Sequence, residues 1–243
     1  MTILIDIGNS RTKHCRLNKE GSNLFTQVTT INNEYFNEHF FDKHFSNAHK
    51  VIVANVASTQ LTTKLEQWCS NHELTFIEVK SEQQKAAVIS AYEKPQQLGV
   101  DRWLTLLAAA QLYPNKNVLI IDAGTATTVD LLAASGQHLG GWILAGVSTL
   151  FSSILKETTN VEAKPADEAS LVFGSNTTTN VNNACWAATV GLINEAIRQA
   201  EIKLGSLDEV IITGGNSVTL QNLVSSPMTR VEDLVFYGLN SYN

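Results

Sequence analysis

The chain has only three cysteines, Cys15, Cys69 and Cys185, and no long apolar run. No two of the cysteines form a C-x-x-C pair, and their wide separation in the sequence fits neither a zinc site nor a disulfide framework. Reduced thiols in a reducing compartment are expected instead. No stretch approaches the roughly 18 apolar residues of a membrane span, and the N-terminus lacks the basic region of a signal peptide. We therefore expect a cytoplasmic protein without a membrane partner.

The sequence also lacks a basic excess and several familiar motifs. Its 17 Lys and Arg against 23 Asp and Glu give a net charge of −6. This balance argues against nucleic-acid binding, which needs a basic surface to neutralise phosphates. The Walker A loop, G-x-G-x-x-G and G-x-S-x-G are all absent. An acidic total does not exclude a small anion such as a nucleotide, because local residues can bind it.

What the sequence does contain is a repeat. Residues 2–10 (TILIDIGNS) and 118–126 (VLIIDAGTA) both have an apolar strand pattern, then Asp-x-Gly, then small polar residues. A second matched pair is formed by 50–58 (KVIVANVAS) and 209–217 (EVIITGGNS). Strands that alternate with helical stretches predict parallel strand pairs. We therefore predict an α/β protein with two tandem lobes, residues 1–115 and 116–243.

The helices and strands between the repeated segments are predicted from the spacing of apolar residues along the sequence. The pattern predicts a strand over 24–30 and helices near 33–42, over 59–71 and over 101–112. Residues 80–100 contain Pro95 and Gly99 and are predicted to be mostly loop. A helix of about 25 residues is predicted to begin near Asn176.

The first candidate site is the loop that follows the first strand, from Asp6 to Lys13. Glycine permits a sharp turn, successive N–H groups can form an anion-binding nest, and Lys13 adds positive charge. A carboxylate beside a bound phosphate requires Mg²⁺ between them. An Asx turn with a surface lysine is the alternative, and the second copy of the motif counts against it.

The second copy runs from Asp122 to Thr128. It has three hydroxyl side chains and no added positive charge. Two such loops could bind opposite sides of one phosphate chain. A threonine-rich β-turn remains the alternative.

Two further segments each have two interpretations. Gly99–Arg102 precedes a helix, so Asp101 is either an N-cap or part of an acceptor site. In an acceptor site its carboxylate takes a hydroxyl proton while Arg102 binds an anionic group. Gly214-Gly215 after a strand fits either the close approach of an adenosine or a plain turn.

Four motifs in this order resemble those of the type III pantothenate kinases, of the actin/hexokinase-like phosphotransferase superfamily. The family's Asp-x-Gly-Asn-Thr-x-x-Lys matches residues 6–13 with Ser10 in the Thr place, and Gly-x-Asp-Arg matches 99–102. Asp-x-Gly-Thr-Ala-x-Thr matches 122–128, and Gly-Gly-x-Ile-x-Pro-Gly matches 140–146 with Ala145 in the Pro place. Neither departure removes a functional group.

The resemblance implies two ribonuclease H-like (actin-like ATPase) lobes with mixed sheets flanked by helices. It further implies transfer of the ATP γ-phosphoryl group to pantothenate, giving 4'-phosphopantothenate in the first step of coenzyme A biosynthesis, by a homodimer that uses Mg²⁺ and either K⁺ or NH₄⁺. Asp101 is implied as the general base, Asp122 as the monovalent cation ligand, and Asp6 as the carboxylate that faces Mg²⁺ on ATP. The residues implied to bind ATP are Asp6, Ile7, Gly8, Asn9, Ser10, Arg11, Thr12, Lys13 and Thr125. Those implied to bind pantothenate are Tyr92, Gly99, Val100, Asp101, Arg102 and Thr177.

Two other functions use the same motifs. A phosphoanhydride hydrolase of the same superfamily would use water as the acceptor. A regulatory ATP-binding protein would use the two loops to set its conformation, but it would need no acceptor segment such as 99–102.

Overall fold

A computed structural model describes residues 1–18 and 24–243 and divides the chain into two compact units. The first unit comprises Met1–Ala86, Tyr92–Gln111 and Asp233–Asn243. The second comprises Ala87–Ala91 and Leu112–Glu232. The chain thus enters the second unit briefly at residues 87–91 and returns to the first unit for its last segment.

The first unit is built on a five-stranded sheet in the order β3-β2-β1-β4-β5. Strands β1 and β4 are parallel and read as continuous apolar runs, because helices and loops cover both of their faces. One core cluster contains Ile5, Val53, Phe45 and Trp68, all buried. Its elements are β1 Thr2–Ile7, β2 Arg11–Arg16, β3 Thr29–Asn32, α1 Glu38–Phe45, β4 Lys50–Asn55, α2 Thr59–Asn71, β5 Thr75–Glu78, β6 Gln84–Lys85, α3 Val100–Leu112 and α7 Leu234–Asn240.

The second unit repeats this architecture with a sheet in the order β10-β9-β8-β11-β12. Its core lies between that sheet and a long helix, where Ile121, Ile193 and Ile212 are fully buried. Its elements are β7 Val88–Ile89, β8 Val118–Ala123, β9 Ala126–Leu132, β10 His138–Ala145, α4 Val147–Glu157, α5 Thr177–Leu204, β11 Glu209–Thr213, α6 Ser217–Leu223 and β12 Thr229–Arg230.

The matching strand orders confirm the predicted repeat. In each unit the first strand pairs antiparallel with the second and parallel with the fourth. Asp6 and Asp122 both stand fifth in a six-residue strand, one residue before its end. The two acidic residues therefore occupy equivalent places at the same edge of equivalent sheets.

The predicted strand over 24–30 is wrong in its bounds, since β3 runs over Thr29–Asn32. Phe25 makes only an isolated bridge to Leu17. Its ring instead packs on Phe236 and Tyr237, at centroid distances of 6.0 and 5.0 Å. The apolar character of this stretch comes from contact with α7 rather than from a strand ladder.

The helix predicted near 33–42 is also displaced. A 3-10 turn occupies Asn33–Tyr35, and α1 begins later, after the cap Asn37, whose side chain accepts a hydrogen bond from Phe40 N–H at 3.2 Å. The helices predicted over 59–71 and 101–112 are confirmed, the second beginning one residue earlier. The predicted long helix is α5, with Asn176 as its N-cap.

Over residues 1–18 and 24–243, no helix is both long enough and apolar enough to cross a membrane. Cys15, Cys69 and Cys185 are free thiols and all three are buried.

Candidate active site

The first phosphate-loop candidate is the turn between β1 and β2. Gly8 N–H donates to Arg11 O at 3.0 Å, which closes the turn. In the ladder below it, Asp6 lies opposite Lys13 and Ile7 opposite Thr12. Strand pairing thus brings the acidic and basic ends of the predicted motif next to each other.

The side chains of this segment divide by burial. Ile7 and Thr12 are buried in the unit, whereas Asn9, Ser10 and Arg11 are exposed. The Ile7 and Thr12 side chains are therefore kept from solvent, and a ligand can be reached by the exposed side chains, by the half-buried Asp6 and Lys13, and by the backbone of the turn. Lys13 is partly exposed, and its Nζ lies 2.8 Å from Asp233 Oδ1.

Asn33 supports the loop from behind and was not identified from the sequence. Thr12 Oγ1 donates to Asn33 Oδ1, and Asn33 Nδ2 donates to Gly8 O, both at 2.8 Å. Asn33 N–H also donates to Ser10 O at 3.2 Å. One side chain amide and one backbone amide thereby fix both ends of the turn. No sequence motif marks this residue, because its partners are 21 and 25 positions away.

The acceptor candidate stands at the start of α3. Gly99 O accepts from Trp103 N–H at 3.0 Å, so the helix begins directly after the glycine. Asp101 Oδ1 accepts from Arg102 N–H at 2.8 Å. A carboxylate has several acceptor positions, so this bond to the helix start leaves Asp101 able to accept a further hydrogen bond. The N-cap alternative is wrong, because α3 begins at Val100 and Asp101 lies inside its first turn. This position is compatible with a base.

Arg102 is buried, with 4% of its surface exposed, and its Nη1 donates to Tyr92 Oη at 3.0 Å. Buried guanidinium groups need hydrogen-bond partners, because an unpaired buried charge costs several kcal/mol. The fold thus brings together two of the predicted substrate residues, which are ten positions apart in the sequence.

The second loop, after β8, is supported by the start of α4. Gly146 N–H and Thr149 Oγ1 both donate to Thr125 O, at 2.9 and 3.0 Å. Thr125 itself is exposed. The Gly-Gly motif that ends at Gly146 therefore helps to fix the loop that contains Thr125.

Asp122 lies at the end of β8 beside β11. It pairs in register with Thr213, and the adjacent Gly214 has a φ of +88°. Asn216 N–H donates to Ala123 O at 3.0 Å. The Gly214-Gly215 turn is therefore joined to the strand end that contains Asp122.

Thr177 is the first residue of α5 and is exposed. Its position is fixed by a capping box between Asn176 and Thr179. The preceding loop is held by two buried amides of α5. Asn182 Nδ2 donates to Lys164 O, and Asn183 Nδ2 to Val172 O, both at 2.8 Å.

In the described part of the chain, no three His, Cys, Asp or Glu side chains come together as a metal-binding group.

Comparison with known proteins identifies the family of the chain. A family model for type III pantothenate kinase matches residues 2–199. A type III pantothenate kinase from Colwellia psychrerythraea is 49% identical over 252 residues, which cover 100% of each chain.

Solved structures show the same fold at low sequence identity. A glucokinase from an Antarctic psychrotroph has a TM-score of 0.53 at 12% identity and covers 99% of this chain and 98% of its own. The protein MreB5 of Spiroplasma citri, bound to ADP, has a TM-score of 0.51 at 11% identity, covering 100% and 95%. The predicted actin-like and hexokinase-like α/β fold is therefore confirmed. The family model and the full-length relative from Colwellia psychrerythraea show that the chain belongs to the type III pantothenate kinases and is a phosphotransferase.

Proposed function

We infer that this chain transfers the γ-phosphoryl group of ATP to the primary hydroxyl of pantothenate, giving 4'-phosphopantothenate, the first step of coenzyme A biosynthesis. The observation that carries the proposal is the hydrogen bond between Arg102 and Tyr92, next to Asp101, in a member of this family. These three residues supply a cation for a carboxylate, a hydroxyl and a base. A hydroxy acid such as pantothenate presents matching groups.

At the acceptor end, Asp101 is proposed to take the hydroxyl proton and Arg102 to bind the pantothenate carboxylate. Tyr92, Gly99, Val100 and Thr177 are proposed to complete the pantothenate site. The buried position of Arg102 supports this role, because a desolvated guanidinium interacts more strongly with an anion than one in water. Phosphoryl transfer passes through a loose transition state, so positioning is expected to contribute more than proton removal.

At the nucleotide end, the segment 6–13 is proposed to bind the ATP phosphates, with Asp6 facing Mg²⁺. The exposed Asn9, Ser10 and Arg11 and the closed turn at Gly8 support this proposal. When bound, Mg²⁺ neutralises charge on the phosphates. Thr125 is proposed to contact ATP, and Asp122 to hold a monovalent cation, K⁺ or NH₄⁺.

The protein is further proposed to act as a cytoplasmic homodimer. The dimer is supported by three consecutive exposed apolar residues, Leu171, Val172 and Phe173, of which Phe173 is fully exposed. Contiguous exposed apolar residues often mark an interface. Light scattering tests this directly: Phe173→Ser should lower the oligomeric mass, whereas the control Val218→Ser, also at an exposed apolar residue, should not.

The reaction is tested by measuring ADP formation from ATP with pantothenate, with other hydroxy acids, and without an acceptor. Each assay is run in K⁺, NH₄⁺ and Na⁺. Pantothenate-dependent ADP release that needs K⁺ or NH₄⁺ is expected. ADP release without an acceptor would instead favour the hydrolase, and equal rates in all three cations would remove the proposed role of Asp122.

A further inference from the structure

Asp233, which precedes α7, makes an ion pair with Lys13 of the first loop. Lys13 Nζ lies 2.8 Å from Asp233 Oδ1, and the two side chains are 42% and 23% exposed. An aspartate before a helix usually caps the first turn with its carboxylate. Asp233 makes no such capping bond. Its carboxylate is paired with Lys13 instead.

The backbone of Asp233 is in the left-handed region, with φ 51° and ψ 39°. Few residues other than glycine adopt this conformation, and Asp and Asn are among those that do so most readily. The conformation places the residue at the corner where the chain leaves β12 and enters α7. The backbone thus sets the direction in which the Asp233 side chain leaves the chain, and Lys13 holds its carboxylate.

Helix α7, which directly follows Asp233, is packed into the core of the first unit. Leu234, Phe236 and Leu239 are almost fully buried. A Cβ on Gly238 would lie 2.1 Å from Leu104 O, so α7 passes in direct backbone contact with α3. Helix α3 contains Asp101 at its start. The position of Asp233 is therefore set by packed core and not by a mobile loop.

An ion pair that is this open to solvent adds little to the stability of a fold. Its larger effect is on the lysine, because an ion pair restricts the rotational freedom that a long lysine side chain has in the absence of contacts. Lysine has three donor hydrogens. A contact with Asp233 through one of them is therefore compatible with a contact to a phosphate through another. A lysine ordered in advance loses less entropy when it binds an anion.

We propose that Asp233 is a positioning residue for ATP binding, which holds the Lys13 ammonium beside the first phosphate loop before the nucleotide arrives. This inference rests on the proposed role of Lys13 in binding the ATP phosphates. It adds a residue that lies outside every motif of the sequence, 220 positions from its partner.

The test uses three substitutions, Asp233→Asn, Asp233→Gly and Asp233→Ala. Asn keeps an acceptor and tolerates the left-handed backbone, Gly tolerates the backbone but has no side chain, and Ala has neither property. The KM for ATP and the Kd for a non-hydrolysable ATP analogue with Mg²⁺ should rise about three- to tenfold in the Gly and Ala variants, and less in the Asn variant. The KM for pantothenate should stay unchanged in all three.

A purely structural role gives a different pattern. In that case only Asp233→Ala would be impaired, through a lower melting temperature, while Asp233→Gly would bind ATP normally. That result would overturn the proposal.

Lys13→Met separates this inference from the proposed function. If Lys13→Met leaves ATP binding unchanged, the role of Lys13 itself fails, and the positioning role fails with it. If Lys13→Met weakens binding but Asp233→Gly does not, only the positioning role fails. In the double variant, Asp233→Gly should add nothing to Lys13→Met, and additive losses would show that Asp233 does not act through Lys13.

Discussion

Gly214 lies against the carboxylate of Asp122, at a distance that leaves no room for a side chain. A Cβ built on Gly214 would be 2.5 Å from Asp122 Oδ1 and 2.7 Å from Ala123 C. Together with its positive φ, this contact explains why a glycine follows β11 at this point. The turn and the acidic strand end therefore form one packed arrangement.

Replacing Gly214 by Ala should disturb this arrangement in two ways. The left-handed backbone of residue 214 is strained for Ala, and the new methyl group must displace Asp122 or the β8 backbone. We expect a loss of stability of about 1–3 kcal/mol and a weaker response of activity to K⁺. Thermal unfolding and K⁺ titration of the rate measure the two effects.

Gly215→Ala is the matched control. Nothing lies within 4 Å of a Cβ at this position, so both stability and K⁺ response should stay close to those of the parent protein. Equal effects of the two substitutions would contradict the role assigned to the Gly214 contact.

Tyr92→Phe should weaken pantothenate binding without affecting ATP. The substitution removes the acceptor of the Arg102 hydrogen bond, and a bond to a charged group contributes about 1.5–3 kcal/mol. The KM for pantothenate should rise about tenfold or more while the KM for ATP is unchanged. Tyr35→Phe, at a tyrosine that is 59% exposed, should change neither constant. A rise in the KM for ATP alone would contradict the proposed role of Tyr92 in pantothenate binding.

Asp101→Asn tests the base and the helix start separately. An Asn side chain can still accept the Arg102 N–H bond through its amide oxygen, so α3 should remain intact and the melting temperature should hardly change. Loss of a general base should lower kcat by roughly 10²–10⁴. A decrease below about threefold with normal stability would leave Asp101 as a helix-start residue only.

His14 should make the protein less stable in mild acid. Its ring packs edge-on against Phe40 and Phe45, and burial, with smaller effects from His44 and Arg16, lowers its pKa to about 4. Between pH 6.5 and about 4, the unfolded chain takes up a proton that the folded chain does not. The free energy of unfolding should therefore fall by about 2–3 kcal/mol as the pH is lowered through this window.

Urea unfolding of the parent protein and of His14→Phe at pH 7, 6 and 5 measures this contribution. Phe has a similar shape and cannot titrate, so the variant should lose less stability between pH 7 and pH 5. Parallel losses in the two proteins would assign the acid sensitivity to other groups.

The sequence predicted the parts of the fold that are encoded locally. The strands around Asp6 and Asp122 were found because buried parallel strands have continuous apolar runs that end in polar turns. Helix α2 was found because its apolar residues recur with helical spacing. The polar residues of the two loops were found for the same reason, since each loop directly follows a recognisable strand.

The supporting residues could not be found in this way. Asn33 looked like part of a helix, yet its amide holds Thr12 and Gly8. Asp233 belongs to no motif of the sequence, yet it makes an ion pair with Lys13. The bounds of β3 were missed because Phe25 packs on α7. In each case a contact between distant parts of the chain overrides the local pattern.

The place of α7 in the first unit has a consequence for synthesis on the ribosome. Residues 233–243 belong to the same unit as residues 1–86, so that unit cannot close before the second unit's residues 112–232 have been synthesised. Until then α3 lacks the contact that Gly238 makes with the Leu104 backbone. Nascent chains normally fold from the N-terminal end as they emerge. Here the first unit departs from that order, because its packing is completed only after residues 233–243 have been made.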